Sequence, residues 1–356
     1  MNRWTVLFYL TGADDLEPYM ARALLALEEA GAPPGIDVAV QLFRAPLAPL
    51  RSLLPDRQPA GIDGDWSGAR RYRLRRRGAG APADAFASEL VADLGPACSP
   101  ADPRNLLAFV DWAAAQLPAE RTLLVISGHG MGFVGAAMDL VSGPRPAIMS
   151  IRSLATALRR SDRQPDILLL DACQMNGLEV IAQFALPRPA AGWLVTPASH
   201  APRRGLDYQA LLTVLGSVAT EPSGQVAARL AAAMEPSAGL QVLAFGLEAE
   251  RWRKVAAVAG AADGPLYGPM YAEAARSCVY PPAGTRLRLL VTWPDPAYFP
   301  EPYHYLYRRL QFARRSGWGR RLLPAASLPQ ARERLAPLEI PGPILEAWLQ
   351  ITRAGR

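Results

Sequence analysis

A histidine and a cysteine follow two apolar runs in the middle of the chain, at residues 122–127 and 166–170. His129 comes two residues after the first run, and Cys173 comes three residues after the second. An imidazole can take the proton from a thiol, and the thiolate that results is a reactive nucleophile. These two residue types therefore predict nucleophilic catalysis, provided that the fold brings them together.

Both runs have the length and composition of buried β-strands. Uninterrupted apolar runs bounded by turn residues are typical of parallel strands that are covered on both faces. Ligands of open parallel sheets bind at the carboxyl ends of the strands, which is where His129 and Cys173 would lie. A helix predicted over residues 174–184 begins directly after Cys173, and its amide N–H groups would favour the thiolate.

The rest of the chain alternates between apolar strands and amphipathic helices. Repeated alternation of this kind predicts an α/β fold, with a doubly wound, mostly parallel sheet flanked by helices. A segment rich in glycine and proline after His129 predicts a mobile loop over 131–149. The first predicted helix follows Asp14 or Asp15, either of which can cap it, and its apolar positions recur at helical spacing over 16–27. The other predicted strands are 4–10, 36–43, 192–196, 240–247 and 286–292, and the other predicted helices are 84–94, 102–117, 150–160, 207–215, 225–234, 248–259, 305–315 and 343–352.

At 356 residues the chain is longer than one hydrophobic core usually supports. We expect a catalytic domain over residues 1–260, with a loop and a hairpin inserted at 44–77. Beyond residue 260 the alternation becomes irregular. Residues 261–356 are therefore predicted to form a smaller α+β extension packed on that domain.

The net charge of +6 raises the question of nucleic-acid binding. Of the 38 basic residues only Lys254 is a lysine, a bias that a GC-rich genome explains more simply than selection for phosphate contacts. The densest basic cluster, at 70–77, alternates with Tyr72 and Leu74. This pattern favours an edge strand with its charges in water, and no nucleic-acid partner is expected.

The sequence also sets an expectation for the cellular compartment. No run of about 18 apolar residues predicts a membrane span, and the amino terminus lacks the pattern of a secretory signal. Cys98, Cys173 and Cys278 are too few and too scattered for a disulfide framework. We therefore expect a soluble, cytoplasmic protein that does not associate with membranes.

The surroundings of the histidine and the cysteine resemble a known family. His129-Gly130 together with Asp171-Ala172-Cys173 is similar to the clostripain-type cysteine peptidases, a branch of the caspase-like fold. Further similar stretches are 4–17, 65–72, 205–208 and 310–318. The resemblance implies a caspase-like endopeptidase that cleaves protein or peptide substrates after arginine, or lysine, through an acyl-enzyme.

The resemblance also implies roles for individual residues. Cys173 would be the nucleophile, and His129 the base that later protonates the leaving amine. The N–H groups of Gly130 and Cys173 would form the oxyanion hole. Asp171 would lie at the bottom of the S1 pocket and select a basic residue, unless it is a strand-end aspartate bonded to the backbone.

The chain departs from the family after the next strand. Relatives often place acidic residues behind a serine there, whereas Ser199 is followed by Arg203 and Arg204. Two guanidinium groups near the pocket would oppose a basic substrate or compensate Asp171. Asp207 is a candidate second pocket carboxylate, although the cap of the following helix is the simpler role.

Activation by cleavage is a further implication of the resemblance. Arg145 is the local candidate for self-cleavage, although Pro146 directly after it is an unfavourable leaving residue. Arg203 and Arg204 are alternative sites, and an upstream protease is a candidate activator. No cofactor is expected. Some relatives use calcium, but the sequence contains no pattern of metal ligands.

Two other classes of function remain open at this point. Residues 130–135 satisfy the G-x-G-x-x-G fingerprint of dinucleotide-binding proteins after a strand. The helix that this fingerprint requires is interrupted by Gly143 and Pro144, which disfavours the interpretation. The other alternative is a caspase-like scaffold that binds partners in a signalling assembly without significant turnover.

Overall fold

A nine-stranded mixed sheet forms the centre of the protein. The structure is a computed structural model that describes residues 2–46, 61–132, 135–143, 146–198, 200–260 and 276–282. Its strands are β1 (Asn2–Gly12), β2 (Ile36–Arg44), β3 (Gly68–Arg73), β4 (Glu89–Gly95), β5 (Ala119–Ser127), β6 (Ala136–Asp139), β7 (Ala147–Met149), β8 (Ile167–Asp171), β9 (Trp193–Pro197), β10 (Val242–Gly246) and β11 (Cys278–Tyr280). Its helices are α1 (Glu17–Ala30), α2 (Pro103–Gln116), α3 (Ile151–Arg160), α4 (Leu178–Ala185), α5 (Tyr208–Val218), α6 (Ser223–Ala238) and α7 (Ala249–Gly260).

The strand order in the sheet is β11-β10-β9-β8-β5-β1-β2-β3-β4. The five central strands β9, β8, β5, β1 and β2 run parallel to one another. β3 and β4 extend one side of the sheet by antiparallel pairing, as do β10 and β11 on the other side. The predicted mostly parallel sheet flanked by helices is confirmed.

Helices cover both faces of the sheet. One hydrophobic cluster contains the inward side chains of α1, α5 and α6, and the other contains those of α2, α3, α4 and Trp252 of α7. Successive residues of β1 alternate between the clusters, with Phe8 in one and Tyr9 in the other. Because both faces are buried, the central strands are continuously apolar instead of alternating with polar residues.

Side-chain caps fix where several helices begin. Asp102 accepts a hydrogen bond from the N–H of Arg104 at the start of α2, and Ser150 accepts one from Ser153 at the start of α3. These bonds satisfy amide groups that have no partner inside the helix. The predicted helices 102–117 and 150–160 are thus confirmed as α2 and α3.

Some predicted elements are wrong. Residues 84–94 form no helix, because β4 occupies part of this segment and pairs with β3. β3 is consequently an internal strand instead of an edge, and Arg71 on it is only 7% exposed. In the predicted loop 131–149, β6 and β7 form a small antiparallel sheet.

The predicted extension is described only at residues 276–282. There β11 pairs with β10 and adds the outermost strand on that side of the sheet. The strand and helices predicted at 286–292, 305–315 and 343–352 lie outside the described residues. Within the described ranges, no helix has both the length and the apolar composition needed to cross a membrane.

Candidate active site

Three neighbouring parallel strands end at the candidate active site. β5 lies between β1 and β8, and Ser127 at its end is paired with Leu10 on one side and Asp171 on the other. His129 follows β5 and Cys173 follows β8. The expectation that both residues lie at the same edge of the sheet is therefore correct.

The turn after β5 packs directly against the turn after β8. A Cβ atom built on Gly130 would lie 2.5 Å from the carbonyl oxygen and 2.9 Å from the amide nitrogen of Cys173. A Cβ on Gly128 would lie within bonding distance of the Thr11 hydroxyl, and Gly128 has a φ of +146°. Glycine is thus required on both sides of His129 because backbone and side chains of other strands approach so closely.

The imidazole of His129 contacts a carboxylate that sequence analysis did not assign to the site. Its Nε2 atom lies 2.6 Å from Oδ1 of Asp15. Both side chains are partly exposed, with 32% of the histidine and 26% of the aspartate accessible. Asp15 follows β1, as His129 follows β5, so its position after an apolar strand was the available signal.

Asp14, beside Asp15, is in a different environment. It is 1% exposed, and its Oδ1 atom accepts a hydrogen bond of 2.8 Å from the N–H of Leu16. Burial raises the pKa of Asp14 to about 7, while the nearby His129 acts in the opposite direction. The prediction that Asp14 or Asp15 caps the next helix is wrong, because α1 begins at Glu17 after Leu16 and has no side-chain cap.

Cys173 is half-buried, and its Sγ atom lies 3.9 Å from the carbonyl oxygen of Ala201. Burial raises the pKa of its thiol, and the charge of Asp171 adds to the rise. The prediction that Cys173 opens a helix is wrong, because α4 begins only at Leu178 after a turn. Cys173 therefore lies outside the first turn of α4, so the N-terminus of this helix does not stabilise a thiolate directly, and a base is needed to form it.

The residue after Cys173 has an unusual backbone conformation. Gln174 has a φ of +63°, in the left-handed region that non-glycine residues rarely adopt. Such strain is found where the surrounding structure enforces it, often at functional sites. The next turn is anchored by Asn176, whose amide donates a hydrogen bond of 2.7 Å to the carbonyl of Ala198 after β9.

Asp171 is buried beneath the site. Its Oδ2 atom accepts hydrogen bonds from the Leu206 N–H at 2.9 Å and the Tyr208 hydroxyl at 2.5 Å, with Ser127 at 3.2 Å. Within the described part of the chain, no hydrogen-bond partner reaches its Oδ1 atom. Burial raises the pKa of Asp171, and these hydrogen bonds oppose the rise.

The other predicted site residues are distributed as follows. Asp207 caps α5 by accepting a hydrogen bond of 2.9 Å from the N–H of Ala210, which is the simpler of its two predicted roles. Arg203 and Arg204 are exposed in the turn before Gly205, and Arg204 donates to the carbonyl of Ser237. Ser199 and Arg145 lie outside the described residues.

The structure also bears on cofactors and nucleotides. The residues after Gly135 form β6 instead of the helix that a dinucleotide fingerprint requires. Asp14, Asp15 and His129 have ligand atoms that all lie within 4.8 Å of one another. This group does not fit the calcium that the family resemblance implies, because calcium takes about six to eight oxygen ligands.

Comparison with known proteins identifies a similar family and similar solved structures. Residues 83–234 match the sequence model of the Clostripain family, while no curated protein matches the chain. Two similar solved structures are an inactive zymogen C11 protease from Parabacteroides distasonis and a secreted C11 cysteine protease from Bacteroides thetaiotaomicron bound to an irreversible peptide inhibitor.

Both structures share 18% sequence identity with this chain, with TM-scores of 0.53 and 0.52. The matches cover 73% and 72% of this chain, and 65% and 69% of the respective relatives, so the chain spans just under two thirds of the zymogen. This level of similarity shows a shared caspase-like fold. The segment that matches the Clostripain family model, residues 83–234, carries both His129 and Cys173.

Proposed function

We propose that the protein is a cysteine endopeptidase that cleaves after arginine, or lysine, through an acyl-enzyme. The observation that carries this proposal is the close packing of the Gly130 turn against the Cys173 backbone at the ends of β5 and β8. This packing holds a thiol and an imidazole on one edge of the sheet, at adjacent strands.

The reaction begins when His129 accepts the proton of the Cys173 thiol. The Sγ atom then attacks the carbonyl carbon of the scissile bond, and the negative charge on the carbonyl oxygen is stabilised by the N–H groups of Gly130 and Cys173. His129 returns the proton to the departing amine, which leaves a thioester on Cys173. A water molecule, deprotonated by His129, hydrolyses this thioester and regenerates the thiol.

Asp15 is proposed to position the base. A carboxylate at Nε2 favours the tautomer in which Nε2 carries the hydrogen, so that Nδ1 is the ring nitrogen that accepts the thiol proton. The same contact stabilises the imidazolium that forms when His129 takes this proton. Asp15 is thereby proposed as the third member of the catalytic group, beside Cys173 and His129.

Asp171 is proposed to bind the basic side chain of the substrate. A guanidinium can form two parallel hydrogen bonds with a carboxylate, and such contacts are strong where water is excluded. The unpartnered, buried Oδ1 atom of Asp171 supports this role. Gly205 leaves space beside the carboxylate, since a Cβ there would lie 2.9 Å from Oδ2. Ser199 stays a candidate for the same pocket.

Regulation and location are part of the proposal. We propose a cytoplasmic enzyme of regulated proteolysis, activated by cleavage at Arg145 or at the exposed Arg203 and Arg204. All three cysteines of the chain are without disulfide bonds, which suits a reducing compartment. Cell fractionation tests the location, and amino-terminal sequencing of fragments from active and Cys173→Ala protein tests self-cleavage.

Peptide hydrolysis by matched cysteine variants tests the activity. Cys173→Ala should abolish turnover of arginine-ended reporter peptides, whereas Cys98→Ala, another half-buried cysteine, should retain it. Asp171→Asn should reduce kcat/KM for arginine-ended and lysine-ended peptides more than for peptides ending in neutral residues. An equal loss on all reporters would make Asp171 a structural residue only.

A non-catalytic scaffold is the competing outcome. Wild-type protein that neither hydrolyses a peptide library nor reacts at Cys173 with an arginine-directed electrophile would contradict the peptidase and favour the scaffold.

A further inference from the structure

The buried carboxylate beside the catalytic base has no role in the mechanism proposed above. Asp14 is 1% exposed, and its Oδ2 atom is buried without a hydrogen-bond partner among the described residues. Burying a carboxylate oxygen without a partner costs free energy, so a folded protein normally satisfies such an atom. A bound cation, a water molecule or a proton can do so.

The surroundings of Asp14 favour a cation. One carboxylate oxygen of Asp14, one of Asp15 and one imidazole nitrogen of His129 all lie within 4.8 Å of one another. Two carboxylates therefore converge on one imidazole at a partly exposed edge of the sheet.

The loop that carries both aspartates is held in place by its backbone. The carbonyl of Ala13 accepts a hydrogen bond of 2.9 Å from the N–H of Leu140, and the carbonyl of Asp14 accepts one of 3.2 Å from Glu17. A ligand set on a fixed loop loses little conformational freedom when it binds a metal. The site is thus largely formed before binding.

From this arrangement we infer that Asp14, Asp15 and His129 form a binding site for a divalent transition-metal cation such as Zn²⁺, whose occupation inhibits the peptidase. One imidazole and two carboxylates are a ligand set that Zn²⁺ accepts in proteins, with a fourth position left to water. Ligand atoms at about 2.1 Å from one metal are roughly 3–4 Å apart, so small side-chain rotations would suffice.

Inhibition follows from the identity of one ligand. The aspartates lie on the Nε2 side of His129, so the metal would bind the lone pair of Nε2. The single proton of the neutral ring would then lie on Nδ1, which could no longer accept the thiol proton of Cys173. The cation also draws Asp15 from its contact with His129. This second part of the inference rests on the proposed function, whereas metal binding itself does not.

The test therefore measures binding on a protein that cannot turn over. Cys173→Ala protein, stripped with a chelator, is titrated with Zn²⁺ by calorimetry and with Co²⁺ by visible absorption. We expect one saturable site that weakens more than about tenfold when Asp14→Asn or His129→Ala is added. His200→Ala, which changes another histidine near the cleft, should leave the affinity unchanged. Circular dichroism confirms that each variant is folded.

The inference is overturned if the Cys173→Ala protein shows no saturable site, or if Asp14→Asn and His129→Ala both bind with unchanged affinity. Asp15→Asn serves in place of any variant that does not fold. In wild-type protein, Zn²⁺ should inhibit hydrolysis over the same concentrations as binding, and a chelator should restore it. Metal binding without any peptidase activity would contradict the proposed function but support the metal site. Peptidase activity without metal binding would support the proposed function and contradict the metal site.

Discussion

Replacement of Gly130 by alanine is the sharpest test of how the turns that carry His129 and Cys173 fit together. The new Cβ would lie 2.5 Å from the carbonyl oxygen of Cys173 and 2.9 Å from its amide nitrogen. Ordinary contacts of a Cβ begin at about 3.4 Å, so the two turns must separate by roughly 0.5–1 Å. The obstructing atoms belong to backbone, which has no alternative rotamer to adopt.

The displaced backbone belongs to Cys173, which is the proposed nucleophile and supplies one of the proposed oxyanion donors. A misplacement of about 1 Å at a reacting group can reduce the rate by about 10²-fold. We therefore expect Gly130→Ala to lower kcat on an arginine-ended reporter by about 10²-fold. Overpacking at this contact should lower the free energy of unfolding by about 1–3 kcal/mol.

Gly78→Ala provides the matched control, because a Cβ on Gly78 meets no atom within 4 Å. Steady-state hydrolysis gives kcat, and urea denaturation gives the free energy of unfolding for both variants. Gly78→Ala should resemble the wild type in both measurements. Wild-type kcat in a folded Gly130→Ala protein would refute the inferred packing of the two turns.

Three further changes test other parts of the structure. Asp15→Asn removes the charge from a contact of 2.6 Å with His129. Because charge-assisted hydrogen bonds contribute about 1.5–3 kcal/mol, kcat should fall by about 10–100-fold with little change in KM. An unaltered kcat would exclude the positioning role of Asp15. Burial raises the pKa of Asp171 above 3.8, so the folded state binds this proton more tightly and the free energy of unfolding should decrease as pH rises from about 3.8 through the folded pKa. Urea denaturation across this pH range should show a smaller decrease in the free energy of unfolding for Asp171→Asn than for the wild type. Identical pH profiles for the two proteins would contradict a raised pKa at Asp171. Glu17→Ala removes the carboxylate partner of the fully buried Arg44, whose remaining hydrogen bonds go to the carbonyls of Ile62 and Gly64. This change should destabilise the protein by roughly 3–5 kcal/mol in the same assay, whereas a loss below about 1 kcal/mol would show that water reaches this pair.

Predictions from the sequence failed where local pattern and tertiary pairing disagreed. In segment 84–94 the apolar residues Leu90, Val91 and Leu94 have helical spacing, but all three are exposed, at 48%, 40% and 37%. Their spacing therefore does not report a buried helix face. Part of this segment is a strand because it pairs with β3. The sequence of the segment alone does not show which strand it will pair with, so the prediction failed.

The loop after Cys173 shows a related limit. The sequence predicts helix directly from residue 174, but Gln174 has a left-handed conformation and α4 starts at Leu178. The buried amide of Asn176, bonded to Ala198 after β9, anchors the intervening turn. A long-range contact of this kind overrides the local preference for helix.

The sequence by itself determined the central strands and the reactive residues that follow them. Continuous apolar runs are typical of strands buried between two helical layers, and turn residues mark where the strands end, so the sequence alone identifies His129 and Cys173 as candidates. Only the tertiary structure decided which strands are neighbours. Because β1 pairs with β5, Asp14 and Asp15 lie beside His129, although more than a hundred residues separate them in sequence. The burial of Asp171 likewise depends on α5 packing over β8, since strand order and helix packing arise from contacts between distant parts of the chain.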